Sequence, residues 1–481
     1  MPIKCHQCGF ENPDGFAFCG RCGTRLDAIL AAPSIDERQA TVKQLKEAGD
    51  AAKRSAETRI ALEHYQQALA LLDSAIMTSD ATLHVQLIKQ RFDILAERYP
   101  LWPSAGWPNR IEPDLQEMLA LARRAGDGTR LSTAITALAR FYLNDGRDEP
   151  ARPLLEEAVS LLRTQSDRAG EAAVLADLAH MNWRAGQFES VANAFQRAHE
   201  LRRHMGEPAG LARSYFDLGL LYRDGLSQPF HAVSHFEKSL EFARLTGEAE
   251  LETRGLIGMG VSWTRLGDAV RARAVLEQAQ RKAAEINSAE QSAWLLIAQA
   301  DALRESGSPS ASRVSDRAVA AATELQLPDL EWSALAGHVL IGQAVGAWNH
   351  TRAALDRMQE LERAGLKLHA YCAIWSNSLM ARMQLHTGQP NPASETSTRA
   401  IEALQAHGLY GVPVPQAILW THFETLSNTQ DPSAMHYLRQ AREAMLAQAN
   451  TIGDGGLRAH FLRDVAINRA IGDDWARIHN T

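Results

Sequence analysis

Residues 178–201 read LAHMNWRAGQFESVANAFQRAHEL, and this stretch indicates how most of the chain folds. Small side chains, Ala179 and Ala198, stand where two paired helices would cross closely. Large ones, Phe188 and Phe195, stand where a gap between neighbouring pairs would have to be filled. The stretch therefore predicts two amphipathic helices packed against each other.

The same pattern recurs at a nearly constant interval. Residues 259–279, MGVSWTRLGDAVRARAVLEQA, keep equivalent small and large positions. Evenly spaced turn glycines occur at Gly146, Gly186, Gly225, Gly267, Gly307, Gly346 and Gly388. A period of about 40 residues, with a helix on either side of each glycine, is typical of a helical solenoid. We therefore expect an all-α body of about ten helix pairs over residues 38–481, with residues 457–471 as a final capping helix.

Proline-rich stretches mark the expected interruptions of this pattern. Residues 99–109, YPLWPSAGWPN, predict a loop between two helices, because three prolines exclude a continuous helix. Residues 390–394 and 409–415 are expected to be further breaks.

Composition and charge narrow the classes of function. Hydrophobic residues make up 45% of the chain, charged residues 22%, and the net charge is −7. A mildly acidic chain argues against a protein that binds nucleic acid over its whole surface. Residues 332–351 are uncharged and long enough to cross a bilayer, but His338, Gln343 and Asn349 interrupt them and they follow the repeat. We expect no membrane helix.

A cysteine cluster precedes the repeats. Residues 5–23, CHQCGFENPDGFAFCGRCG, contain two CxxC pairs, and the four thiolates would complete a tetrahedral site that suits one structural zinc ion. The expected ligands are Cys5, Cys8, Cys19 and Cys22. Metal binding would supply folding free energy on the order of 10 kcal/mol to a segment too short to fold alone. Iron is the alternative metal, and His6 is a spare ligand that we expect to be a solvated neighbour.

The surface of this module is electrically balanced. Three basic residues oppose three acidic ones: Lys4, Arg21, Arg25, Glu11, Asp14 and Asp27. Counterion release on nucleic acid would therefore be small. Phe10, Phe16 and Phe18 could stack on bases, but we favour packing inside the module. We place the module at residues 1–27 and a linker at 28–37.

The positions of the cysteines and the first residues of the chain indicate the cellular compartment in which the protein is expected. Four of the five cysteines lie in the cluster, whereas a secreted disulfide protein would spread them through the fold. The start, MPIKCHQCGF, has no apolar signal core. We expect a reducing, cytoplasmic environment.

Both parts of the chain resemble known families. CGFENPDGFAFCGRCGTRL resembles the zinc ribbon at the N-termini of many bacterial regulatory proteins, and the repeats resemble tetratricopeptide repeats, which implies a right-handed superhelical solenoid. Together they resemble the outer frame of bacterial class III adenylate/guanylate cyclases that also carry an ATPase module. Residues 448–471 of this chain, QANTIGDGGLRAHFLRDVAINRAI, are similar to the C-terminal end of those proteins. Only DAILAAPSID, residues 27–36, lies between the two parts here, and no GxxxxGK[ST] loop occurs. The resemblance therefore implies neither cyclase nor ATPase activity.

The tetratricopeptide resemblance also implies a binding groove. In that family particular first-helix positions contact ligands, and here these positions fall on His180, Trp183, Arg184, Arg213, Phe216, Arg223, Arg254 and Arg265. Arginines at these positions could hold an acidic peptide segment or a C-terminal carboxylate through charge-assisted pairs. The alternative is that the aromatic rings are packing residues and that each arginine pairs with a neighbouring Glu or Asp.

No sequence motif indicates a catalysed reaction. GxSxG and HExxH are absent from the sequence, and we interpret the lone Cys372 as a packing residue. We therefore expect a non-enzymatic interaction scaffold or regulatory adaptor in signalling, with a protein partner in the groove and the ribbon as a second docking module. The alternatives are a nucleic-acid-associated regulator that uses the ribbon, a regulatory subunit for a separately encoded cyclase or ATPase, and an enzyme without a recognisable motif. The sequence predicts no oligomeric state.

Overall fold

The structure is a computed structural model. It describes residues 3–5, 7–13, 16, 18–22, 24, 35–77, 79, 81–364 and 369–479. The chain forms two compact units, Met1–Phe141 and Tyr142–Thr481. The predicted linker falls largely outside the described residues, and residues 35–37 belong to the first helix.

The first unit combines a small strand pair with helices. Strand β1 (Ile3–Lys4) pairs antiparallel with β2 (Glu11–Asn12), in a register that places Ile3 opposite Asn12. The helices that follow are α1 (Ile35–Arg54), α2 (Thr58–Ile76), α3 (Ala81–Arg98), α4 (Ile111–Ala125) and α5 (Gly128–Asn144), which crosses the boundary between the units. The predicted proline-rich loop is confirmed, because residues 99–110 form only short 3-10 turns between α3 and α4.

The second unit is helical throughout its described residues. Its elements are α6 (Asp148–Thr164), α7 (Arg168–Arg184), α8 (Phe188–Met205), α9 (Pro208–Leu220), α10 (Pro229–Thr246), α11 (Ala249–Arg265), α12 (Ala269–Ile286), α13 (Ala289–Glu305), α14 (Ala311–Leu325), α15 (Pro328–Ala344), α16 (Arg352–Arg363), α17 (Tyr371–His386), α18 (Pro390–His407), α19 (Pro415–Asn428), α20 (Ala434–Asn450), α21 (Gly455–Arg463) and α22 (Ala466–His479). The predicted array of helix pairs is confirmed.

The repeat glycines lie at the turns between the two helices of a pair. Gly267, for example, has φ 78° between α11 and α12, a left-handed conformation that glycine adopts without strain. Gly225 differs, because it ends a π-helical turn (Leu221–Gly225) that extends α9. The turns between successive pairs use left-handed residues that recur with the same period: Ser166, Gly206, Gly247, Asn287 and Gln326.

Close helix crossings explain the small residues. Ala179 and Ala198 are almost completely buried. At Gly219, in α9, an added Cβ would lie 2.5 Å from a ring carbon of Phe236 in α10. The absence of a side chain at Gly219 is therefore what allows the Phe236 ring to lie directly on the α9 backbone.

Repeats that are distant in sequence also pack together in the second unit. One hydrophobic core joins α10–α13 to α17–α22, and it contains Leu256 and Trp263 from the first set with Trp420 and Phe461 from the second. In a simple solenoid each repeat contacts only its neighbours. The second unit is instead closed by contacts between early and late repeats.

Two expectations about element ends need correction. Residues 390–394 are not a break, because they form the first turn of α18, where proline is tolerated. The C-terminal segment forms two helices, α21 and α22, and not a single capping helix. Among the described helices, none has both the length and the apolar character required to cross a membrane.

Candidate functional site

The four clustered cysteines meet the geometry of a closed metal site. Their sulfur atoms all lie within 4.8 Å of one another, with Cys5 Sγ 3.5 Å from Cys22 Sγ and Cys8 Sγ 3.6 Å from Cys19 Sγ. A tetrahedral zinc site with bonds of about 2.3 Å has sulfur–sulfur edges of about 3.8 Å. The residues therefore fit one structural zinc ion, as the spacing predicts. His6 lies outside the described residues.

Local hydrogen bonds favour the thiolate form of one of these ligands, Cys19, whereas the neighbouring cysteine side chains contribute to raising the pKa of Cys8. Burial acts to raise the pKa of Cys19, but the backbone N–H groups of Arg21 and Cys22 outweigh it and lower this pKa to about 6. The N–H of Arg21 lies 3.4 Å from Cys19 Sγ. Asn12 supports the same turn, since its Oδ1 accepts a 2.9 Å hydrogen bond from the N–H of Gly20. Cys19 is therefore mostly a thiolate at neutral pH, which is the form that binds a metal cation.

The aromatic rings of the ribbon are on its surface. Phe10, Phe16 and Phe18 are 41%, 53% and 56% exposed. The interpretation that they pack inside the module is wrong. A segment with four metal ligands keeps its fold through the metal and leaves these rings available to contact other molecules.

Four of the eight predicted groove residues form one set on α7, α9 and α11. Three of them have exposed polar groups, and the fourth is an aromatic ring on which one of these groups rests. His180, 44% exposed, has its Nε2 3.3 Å from Asp217 Oδ1. Arg213, 66% exposed, lies 3.6 Å from Glu248. The guanidinium of the exposed Arg254 stands 4.6 Å above the ring of the buried Phe216. These four side chains, His180, Arg213, Phe216 and Arg254, form what we call the open face.

The other arginines of the set are held by the protein's own carboxylates. Arg184 donates a 3.0 Å hydrogen bond to Asp148, while Arg223 and Arg265 both donate to Asp224. Their side chains are 15% to 24% exposed. Arg184 and Arg265 therefore join neighbouring repeats, and Arg223 pairs with the residue that follows it. All three follow the alternative that the sequence left open, in which an arginine pairs with an internal acid.

The ring of Trp183 is a packing group. It is 7% exposed and stands edge-on to Phe188 and Phe195, at 6.1 and 6.2 Å between ring centroids. The same ring meets His369 at 6.4 Å, from a segment that follows several repeats later in the chain.

That late segment is the part of the site that sequence reasoning missed. The N–H of Ala370 donates a 2.9 Å hydrogen bond to the carbonyl of Arg184, and the N–H of Gly411 donates a 2.8 Å bond to the carbonyl of Gly225. Tyr410 stacks on Phe188 at 5.7 Å. No local pattern signals these contacts, because each depends on the long-range closure of the second unit.

Comparison with known proteins agrees with this division of the chain. Residues 4–26 match the family model of the zinc-ribbon domain. No curated protein is significantly similar to the chain in sequence.

Several solved structures share a general likeness with the chain. BtubC from P. vanneervenii is 20% identical, with 52% of this chain and 92% of that one covered and a TM-score of 0.36. Yeast Tom70 is 13% identical over 92% and 100%, with a TM-score of 0.37. A signal transduction ATPase with numerous domains and a tetratricopeptide repeat sensor, from Pyrococcus horikoshii, is 13% identical over 72% and 53%, with a TM-score of 0.40. The chain's own helix pairs define its fold. The chain thus combines a zinc-ribbon domain at residues 4–26 with an all-α array of tetratricopeptide-like helix pairs.

Proposed function

We propose that the chain is a non-enzymatic interaction scaffold or regulatory adaptor, and that its open face binds an acidic segment of a protein partner. The observation that carries this proposal is Arg254. Its guanidinium is exposed and rests on the ring of Phe216, and no described carboxylate lies within ion-pair distance of it. An arginine ordered in this way, with its hydrogen-bond donors unused, is suited to accept a carboxylate from outside.

The residues near Arg254 also favour a partner segment with a negative charge. Arg213 is mostly exposed, and its 3.6 Å pair with Glu248 is of the surface kind that contributes little. His180 adds a partly exposed ring 3.3 Å from Asp217 on α9, the helix that also carries Arg213. A partner carboxylate could compete for these groups, whereas it would have to displace an internal carboxylate to reach Arg223 or Arg265.

Affinity capture from the source cell's lysate, followed by mass spectrometry, tests the open face. We expect a protein captured by the wild type to be lost with Arg254→Glu and Arg213→Glu. Arg273→Glu is the matched control, because Arg273 is an exposed arginine on α12, the second helix of its pair. Capture that survives Arg254→Glu and Arg213→Glu, or that is lost equally with Arg273→Glu, would remove the open face from the proposal.

The zinc ribbon is proposed as a second docking module. Its three exposed phenylalanine rings are the groups that a partner would cover. A Cys5→Ser/Cys8→Ser variant removes two ligands and so removes the folded ribbon from the capture experiment. Partner loss in this variant, with the open face intact, assigns a contact to the ribbon, and unchanged capture excludes one.

The exposed rings also favour a second candidate function, that of a regulator which binds single-stranded nucleic acid through the ribbon. Aromatic faces stack on bases without regard to sequence. The sequence of residues 1–27 contains three basic and three acidic side chains, so this candidate needs stacking to provide most of the affinity. Oligonucleotide binding at low salt that is lost in a Phe16→Ser/Phe18→Ser variant would support it, and no binding at low salt would exclude it.

A further inference from the structure

The four cysteines of the zinc ribbon are not equally protected from solvent. Cys5 and Cys19 are 2% and 3% exposed, Cys8 is half-buried, and Cys22 is exposed. Cys372, the only cysteine outside the ribbon, is 3% exposed. All five cysteines lie in the described part of the chain, so Cys22 is the sulfur of this protein that a reagent in solution reaches most readily.

The turn at residues 20–22 explains this difference in exposure. The N–H of Cys19 donates a 2.7 Å hydrogen bond to the carbonyl of Thr24, and the N–H of Arg21 lies 3.4 Å from Cys19 Sγ. These bonds wrap the turn around Cys19 and leave Cys22 at its solvent side. The hydroxyl oxygen of Thr24 lies 3.1 Å from Cys22 Sγ. The accessible sulfur is therefore held in place by the turn while one side of it remains open to solvent.

A second thiol stands beside Cys22. Cys5 Sγ lies 3.5 Å from Cys22 Sγ, and Cys8 Sγ lies 3.6 Å from Cys19 Sγ. Both distances are shorter than the edge of about 3.8 Å in a tetrahedral zinc site, so a small shift of each pair is enough to form an S–S bond of about 2.05 Å. Each pair joins one CxxC motif to the other. An accessible cysteine next to a resolving cysteine is the arrangement typical of redox-sensitive sites.

We propose that Cys22 is an oxidation site, at which hydrogen peroxide converts the metal ligands of the ribbon into disulfides. The Cys22 thiolate attacks one oxygen of the peroxide: an S–O bond forms, the O–O bond breaks, and the other oxygen takes up a proton and leaves as water. The Cys5 thiolate then attacks the sulfur of the resulting sulfenic acid. The S–S bond forms, the S–O bond breaks, and the hydroxyl group takes up a proton and leaves as a second water. The two sulfur atoms together lose two electrons, which reduce the peroxide.

The first disulfide takes two of the four thiolates out of the metal site. The two that remain, Cys8 and Cys19, do not complete a closed tetrahedron, so the ribbon no longer holds the ion tightly. Their sulfur atoms are then free to form the second disulfide with a second peroxide molecule. Because metal binding supplies the folding free energy of so short a segment, oxidation also removes the native fold of the ribbon.

The modification is reversible. Small thiols attack disulfides by exchange and return both cysteines to the thiol form, after which the site can bind zinc again. The ribbon therefore acts as a switch, folded when its cysteines are reduced and metal-bound, and unfolded when they are oxidised. This inference concerns the chemistry of the four sulfur atoms, so it stands or falls independently of whether the ribbon docks a partner.

Treatment of the zinc-loaded full chain with hydrogen peroxide tests the site. A chromogenic chelator follows zinc release, dimedone traps sulfenic acid, and mass spectrometry of peptides identifies the cysteines that have reacted. Proteolytic cleavage after Glu11 and Arg21 separates the two CxxC motifs and leaves Cys22 on a peptide of its own. We expect dimedone at Cys22 first, then a disulfide that joins Cys22 to Cys5 as zinc is released.

Cys22→His is the decisive variant, because three cysteines and one histidine also form a structural zinc site while the accessible thiol is gone. We expect this variant to release zinc at least about tenfold more slowly than the wild type. Cys8→His is the matched control. It has the same set of ligand types but keeps the Cys5–Cys22 pair, so it should release zinc at about the wild-type rate.

Cys372 is the internal reference, since it is buried and should remain a free thiol throughout the reaction. The proposal is overturned if Cys22 reacts no faster than the other cysteines of the ribbon, if the first disulfide does not join Cys22 to Cys5, or if Cys22→His and Cys8→His release zinc at the same rate. The first two outcomes are read from the wild type alone, so they decide the proposal even where a histidine variant does not hold zinc.

Discussion

The carboxylate of Asp224 lies 2.8 Å from Nη1 of Arg265, which follows it by 41 residues, one repeat later. The same carboxylate accepts a 2.9 Å hydrogen bond from Nε of Arg223. Burial acts to raise the pKa of Asp224, but the charges of the two arginines outweigh it and hold this pKa well below its usual range. One acidic side chain therefore links the turn after α9 to the end of α11.

Asp224→Asn should destabilise the protein strongly, because it leaves two partly buried guanidinium groups without their counter-charge. We expect the free energy of unfolding in urea to fall by about 3 kcal/mol. The exposed Asp316 provides the control, and Asp316→Asn should change this free energy by about 0.5 kcal/mol or less. Equal effects of the two substitutions would show that Asp224 does not join the repeats.

The contribution of Asp224 to the free energy of unfolding should depend on pH. Because the folded pKa of Asp224 is depressed, its contribution is complete above the ordinary carboxyl range and is lost as the pH falls through the folded pKa. The penalty of Asp224→Asn should therefore be constant from pH 6 to pH 8 and shrink in acid. A penalty that grew on acidification would contradict the pairing.

Much of the fold could be predicted because its signals are local. A left-handed turn favours glycine, and a close crossing requires a small side chain, so Gly267 and Ala179 reveal the helix pairs directly. The second set of turns gives a weaker sequence signal, because Asn287 and Gln326 adopt the left-handed conformation without being glycine. The closure of α10–α13 on α17–α22 has no local signal at all.

The candidate sites divide in the same way. All four metal ligands lie in one short segment, Cys5 to Cys22, so their spacing alone predicts the site. The groove positions came from the resemblance to tetratricopeptide repeats, which does not show which arginines meet internal acids. Arg265 and Asp224 are separated by 41 residues, and only the packed structure shows that they are partners.

Gly219→Ala and Gly337→Ala should have opposite effects on stability. An added Cβ at Gly219 would lie 2.5 Å from the Phe236 ring, and we expect a loss of about 1–3 kcal/mol from the resulting shift. Gly337 lies inside α15 with no neighbouring atom within 4 Å of an added Cβ, so alanine should stabilise the helix by about 0.5–1 kcal/mol. Urea unfolding of both variants measures the difference, and a destabilised Gly337→Ala protein would contradict it.

Zinc content should depend on the ribbon cysteines and not on the fifth cysteine. We expect elemental analysis of the purified wild type to give about one zinc per chain, and Cys8→Ser to reduce it close to zero. Cys372→Ser is the control, since burial raises the pKa of that thiol and it lies in a hydrophobic core formed by α15, α16 and α17. Iron in place of zinc, or metal lost in Cys372→Ser, would contradict the assignment.

A titration near neutral pH is expected at Glu424. Burial raises the pKa of this carboxyl to about 7, opposed by Arg382, whose Nε lies 3.3 Å away, and reinforced by Asp474. His386 also faces it, at 3.9 Å. The folded pKa is above the unfolded value of about 4.3, so the native state binds an extra proton between these values. The contribution of Glu424 to stability must therefore fall as the pH rises through that interval.

Glu424→Gln removes this titration and leaves the histidines in place. We expect the wild-type stability minus the variant stability to decrease by up to about 1.4 kcal/mol for each pH unit between pH 5 and pH 7, and to level off above pH 8. Urea unfolding at several pH values measures this difference, and Glu395→Gln, at an exposed position of α18, should show no such slope. A difference between wild type and Glu424→Gln that stays constant, or that increases with pH, would show that the carboxyl titrates in its ordinary range.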